Sequence, residues 1–133
     1  MSIFRRYPPL KLSKRTAECN WQTIMQNKLW DMGLIAYTEK YQASVITNRF
    51  DIAIVANKES DIAIGIIEMK AHTSGDMRLH EIEFWKTEQG KRYCEIGKKH
   101  GIPVLYCAGP SEINRVAREM KRALSPWWLR WAI

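Results

Sequence analysis

The chain has 133 residues, 46% of them hydrophobic, with six Trp, five Tyr and a formal net charge of +7. That size and composition predict one globular domain with a real core and exclude a disordered chain. No apolar run approaches the ~20 residues that cross a bilayer, and the basic start MSIFRRYPPLKLSKR lacks the apolar stretch of a secretory signal. The expectation is a cytoplasmic protein with no membrane partner. Cys19, Cys94 and Cys107 have no close spacing, which fits free thiols in a reducing compartment better than a zinc site or a disulfide framework. The excess of 21 Lys and Arg over 14 acids favours a polyanionic partner, nucleic acid first.

Residues 1–15 read as a basic arm carrying Arg5, Arg6, Lys11, Lys14 and Arg15, with Pro8 and Pro9 blocking a helix. Such an arm can track a phosphate backbone or simply fray. A helix is predicted over 16–33, with Thr16 as N-cap and Gly33 as its stop. Trp21, Met25, Leu29 and Met32 form its buried stripe, and Glu18 extends that stripe toward the N-terminus. Glu18 either complements the helix dipole or leans over the sheet that follows. Residues 34–47 predict a first strand, with an irregularity near Glu39 and Lys40.

Two apolar β-branched runs then flank a polar break at residues 57–61, the pattern of a hairpin within residues 48–72. With the turn near Glu59 and Ser60, Asp51 falls opposite Glu68. Alternation puts Glu68 and Lys70 on one face and Met69 on the other. Two acids and a lysine at the end of an apolar hairpin are costly to desolvate unless they bind something, and a divalent cation would relieve the repulsion. The alternative is a solvated strand end with an ordinary Glu–Lys pair.

Residues 73–83 predict a polar loop with a turn at Ser74, Gly75 and Asp76, carrying His80 and Glu81. A second helix over 84–99 has Trp85, Gln89, Tyr93 and Ile96 on its inner face, where a glutamine needs a hydrogen-bond partner. Residues 102–107 predict a strand reached by a crossover. Ser111 caps a third helix with Ile113, Val116, Ala117, Met120 and Leu124 inward, and Arg115, Arg118, Lys121 and Arg122 outward. Trp127, Trp128 and Trp131 in the tail suit core packing, a contact between copies, or base stacking. The division is an arm (1–15), an α/β domain (16–124) and a Trp-rich tail (125–133), in the order α-β-β-β-α-β-α.

Asp51, followed on the next strand by Glu68, Met69 and Lys70, resembles the signature of the PD-(D/E)XK nuclease superfamily. The run from Gln89 to Tyr93 is similar to the Gln-x-x-x-Tyr motif of its RecB-like and lambda-exonuclease-like branches. The compact ending looks more like the VRR-Nuc branch. The resemblance spans about residues 16–123. Phe50 stands where the superfamily often has Pro, and the interval from Asp51 to Glu68 is somewhat long. The resemblance implies a restriction-endonuclease-like α-β-β-β-α-β core, with a mixed central sheet flanked by helices. It implies a Mg²⁺- or Mn²⁺-dependent deoxyribonuclease, endonuclease before exonuclease, of the kind that travels with phages and other mobile elements and acts on DNA, branched forms included. Asp51, Glu68, the Met69 carbonyl and Glu18 would hold metal. Lys70 would orient water or stabilise phosphate, Gln89 would position Lys70 or substrate, and Tyr93 would support that helix. The competing classes are a non-catalytic nucleic-acid-binding module and an assembly protein, and a homo-oligomer stays open for any of them.

Overall fold

A β-branched run must be covered on both faces, and the two runs beside residues 57–61 begin by covering each other's edges. The computed structural model describes residues 12–14, 20–38, 41–43 and 50–126. Its strands are β1 (Leu12–Lys14), β2 (Ile35–Thr38), β3 (Tyr41–Ala43), β4 (Ile52–Val55), β5 (Ala63–Met69) and β6 (Val104–Cys107). Its helices are α1 (Asn20–Asp31), α2 (Met77–Lys86), α3 (Glu88–His100) and α4 (Ile113–Leu124). The protein is therefore mixed α/β, with a four-stranded sheet in the order β2-β4-β5-β6. β2, β4 and β5 are antiparallel neighbours, and β6 joins β5 in parallel through the crossover that α2 and α3 make.

Each sheet face packs on a different helix layer. Ala53, Val55, Ile66 and Tyr106 share a cluster with Phe84 of α2 and with Tyr93 and Ile96 of α3. Ile52, Ile54, Ile67, Met69 and Cys107 share the other with Met25 and Leu29 of α1 and with Val116, Ala117 and Met120 of α4. The alternation in β5 is thus as predicted, with Met69 facing away from Glu68. Helix α1 ends as Gly33 predicts: Gly33 takes φ +84°, its N–H donates to Trp30 O, and the Leu34 N–H donates to Leu29 O. That pair of bonds closes a Schellman turn, and Leu34 packs in the same cluster as Leu29. The edge strand β2 is blunted, because Trp30 Nε1 and Gln26 Nε2 both donate to the Ala36 carbonyl at 2.8 Å.

Five local expectations are corrected. The strand predicted over 34–47 is two, β2 and β3, and β3 pairs with β1 in a separate two-stranded sheet. Residues 73–83 are not all loop, since α2 starts at Met77 with the Asp76 side chain accepting from the Arg78 N–H. The helix predicted over 84–99 is broken at Thr87, which closes α2 and caps α3 by accepting from the Gly90 N–H at 3.0 Å. Trp21 is not buried: it is 37% exposed, while Gln22 is 5% exposed. The covered face of α1 runs through Gln22, Met25 and Leu29, so Trp21 falls on its rim. A turn of 3-10 helix, Pro110–Glu112, precedes α4, and Ser111 does not cap it. The inward set of α4 is otherwise as predicted, with Leu124 half-buried. Thr16, Glu18, Cys19, Arg5, Arg6, Lys11, Arg15, Trp127, Trp128 and Trp131 lie outside the described residues, and Lys14 is described only as part of β1.

The end of β5 is tied to the exit of β6. The Lys70 N–H donates to Cys107 O at 2.8 Å and the His72 N–H to Ala108 O at 3.0 Å. Only a glycine fits beside that seam, because a Cβ on Gly109 would overlap the His72 carbonyl. Gly109→Ala should lower the urea unfolding free energy by roughly 1–3 kcal/mol; an unchanged midpoint would show that the seam yields freely.

Candidate functional site

The register of β4 against β5 pairs Ile52 with Ile67, and its next step sets Asp51 opposite Glu68. The structure brings those two carboxylates together. Their side chains are hydrogen-bonded to one another, and Asp51 Oδ2 also accepts from the Met69 N–H at 2.8 Å. Glu68 is 3% exposed. Its Oε1 accepts from the Tyr93 hydroxyl at 3.1 Å, and its Oε2 lies 3.4 Å from Lys70 Nζ. Lys70 keeps 42% of its side chain exposed, so the cluster opens to solvent on that side.

The elements explain this placement. Phe50, buried immediately before Asp51, packs against the Tyr93 ring at 5.9 Å and anchors the entry to β4. Tyr93 stands one turn into α3, and the Gln89 amide hydrogen-bonds its hydroxyl. Gln89 is therefore partnered, as its position demands, although its side chain sits at the exposed start of α3 and not on the buried face. On β6, Tyr106 stands beside Glu68 in register and stacks on Phe84 at 4.4 Å, which fixes α2 to the sheet.

Electrostatics follow from burial. Desolvation pushes the Glu68 carboxyl up to about 8, with the Asp51 charge and the Asp51 hydrogen bond adding to the rise; Lys70 and the Tyr93 hydroxyl oppose it. At neutral pH Glu68 accordingly holds a proton shared with Asp51, the arrangement that two close carboxylates adopt when nothing else neutralises them. Burial and the two acids hold the Tyr93 hydroxyl well above the usual phenol range, so it stays a donor toward Glu68.

This donor set suits a hard divalent cation, which prefers carboxylate and carbonyl oxygens. Asp51, Glu68 and the Met69 carbonyl are the groups that could hold one. Among the described residues no cluster of three or more His, Cys, Asp or Glu side chains is arranged for a metal. The third acid expected, Glu18, lies outside those residues. Two features were not legible as site features in the sequence. The buried Gln22 amide oxygen has no hydrogen-bond partner among the described residues. The His72 and His80 rings are stacked, 3.7 Å between centroids and 2° apart in plane. The histidines are visible in the sequence; their contact depends on α2 starting at Met77. A cleft of about 360 Å³ is lined by Arg78, Glu81, Ile82, Trp85, Glu112 and Arg115, and its lining includes neither Asp51 nor Glu68. Its Arg115 is neutralised by Glu81, Glu112 and Glu119.

Comparison with known proteins finds no matching family model, no matching curated protein and no matching solved structure. Among the described residues no helix is long and apolar enough to cross a membrane.

The raised Glu68 value has a consequence for stability. Glu68 takes up its proton at higher pH when folded than when unfolded, where 4.5 applies. The metal-free fold therefore weakens as pH rises from about 4.5 to about 8 and the buried proton is withdrawn. Glu68→Gln mimics the protonated form. In chelator it should match the wild type near pH 5 and exceed it by roughly 1–3 kcal/mol near pH 8. A difference independent of pH, read by thermal or urea unfolding, would contradict the shared proton.

Proposed function

We propose that the protein is a metal-dependent nuclease of the PD-(D/E)XK type, hydrolysing phosphodiester bonds in DNA, with internal cleavage favoured over digestion from ends. The observation that carries this reading is the Asp51–Glu68–Lys70 cluster, two acids in contact and one exposed lysine at the end of paired strands. The order α1, β2, β4, β5, α3, β6 supports a restriction-endonuclease-like core. The donor set and the resemblance support Mg²⁺ or Mn²⁺ as the cofactor. A non-catalytic nucleic-acid binder has no use for buried acids beside its phosphate contacts, because they repel phosphate.

Asp51, Glu68 and the Met69 carbonyl would hold the metal, with Glu18 expected to bind a second metal or a metal-bound water, and the metal would supply an acidified attacking water and neutralise phosphate charge. The chain's own residues do the rest. The Asp51 carboxylate is oriented by the Met69 N–H and Glu68 by the Tyr93 hydroxyl. The proton that Asp51 and Glu68 share would have to leave before both carboxylates could hold a metal, so metal binding there would be coupled to proton release. Lys70, held near Glu68 and open to solvent, can reach a phosphate oxygen or align the attacking water. Gln89 acts on Glu68 through Tyr93, which makes both positioning residues.

The test is cleavage of labelled single-stranded, duplex, flap and four-way-junction DNA with Mg²⁺, Mn²⁺ or EDTA. Glu68→Ala and Lys70→Ala should each lose roughly a hundredfold or more in rate while remaining folded. Metal-independent cutting, or cutting by both variants as fast as wild type, would overturn the assignment.

A further inference from the structure

Directly after Lys70 the chain builds a small aromatic feature that the nuclease reading does not use. His80 lies in the first turn of α2, four residues before the buried Phe84, so its ring is on the sheet side of that helix. Its Nε2 donates to the Ser74 carbonyl at 2.9 Å, which locks the ring against the turn at Ser74 and Gly75. The turn leaves little room there, since a Cβ on Gly75 would come within 3.0 Å of His80 Nε2. His72 lies flat on this fixed ring. The His72 backbone is itself held by the bond from its N–H to Ala108 O. His72 is exposed and His80 half-buried, so His72 is the more accessible of the two rings.

Two residues of extended chain separate His72 from Lys70, about 6–7 Å. That is the scale of the distance from a backbone phosphate to its own or the next base. Flat rings fixed by backbone hydrogen bonds are the ordinary means of holding an unpaired base, because every base offers a π-face. A base inside a continuous duplex has both faces covered by its neighbours and cannot use such a platform.

We propose that the stacked His72–His80 pair is a platform for one unpaired nucleobase next to the phosphate at Lys70, so that the substrate is single-stranded or frayed nucleic acid. The position of the phosphate rests on the nuclease reading; the platform itself is tested without it. In EDTA, where no metal-dependent cleavage occurs, a labelled single-stranded oligonucleotide, a duplex of the same length and a fully abasic strand are titrated with protein.

His72→Ala should weaken single-strand binding roughly tenfold or more, leave duplex and abasic-strand binding unchanged, and be rescued by His72→Phe. Equal single-strand affinity in His72→Ala and wild type overturns the platform. So does an equal loss on all three probes, or failure of the wild type to bind the single strand. The nuclease reading stands or falls separately, on metal-dependent cleavage and its loss in Glu68→Ala. A stacking preference without such cleavage leaves the platform and removes the nuclease, and the reverse result does the opposite.

Discussion

Two carboxylates pressed together at the end of a buried sheet need a positive charge between them, and burial raises the Glu68 carboxyl far enough to favour a proton there at neutral pH. The contact between Asp51 and Glu68 is the constraint around which the neighbouring structure is arranged. Burial makes the charged pair costly, and donors face it from among the described residues: the Met69 N–H, the Tyr93 hydroxyl and the Lys70 ammonium. An acid pair kept only for stability would be replaced at little loss by apolar residues of similar volume. A pair kept with its donors aimed and one side open is better accounted for by a ligand that takes the proton's place.

The sheet delivers this geometry because its two faces have separate work. One face is sealed by α1 and α4 through mainly apolar contacts, with Met120 set close over Gly65. The other is sealed by α2 and α3 through aromatic rings, Phe84, Tyr93 and Tyr106, of which Tyr93 reaches the acids with its hydroxyl. Gln89 continues that line to the surface at the start of α3. A chain of hydrogen bonds thus runs from an exposed amide to a buried carboxylate.

The hairpin and its acids were legible in the sequence because strand alternation and turn position are local rules, and a register error of one residue would have put Asp51 and Glu68 on opposite faces. The crossover to β6 was legible for the same reason: a long helical stretch between two apolar runs leaves few alternatives. What was not legible depended on neighbours distant in sequence. Trp21 looks more buried than Gln22 until β2 and α4 choose which side of α1 they cover. Residues 34–47 look like one strand until β1 takes β3 as a partner. The break at Thr87 lay in sight as a capping residue, but the apolar periodicity ran across it. The stacking of His72 on His80 needed both the early start of α2 and the tight turn at Gly75.

Under the proposed nuclease reading a divalent cation takes the place of the proton shared by Asp51 and Glu68, and a proton-coupled metal titration reads that exchange. Isothermal titration of Mn²⁺ into the protein near pH 7, in two buffers of different ionisation enthalpy, reads metal binding and proton release together. Saturable binding with release of about one proton is expected, with loss of both in Glu68→Gln. Binding without proton release, or binding that Glu68→Gln leaves intact, would contradict it.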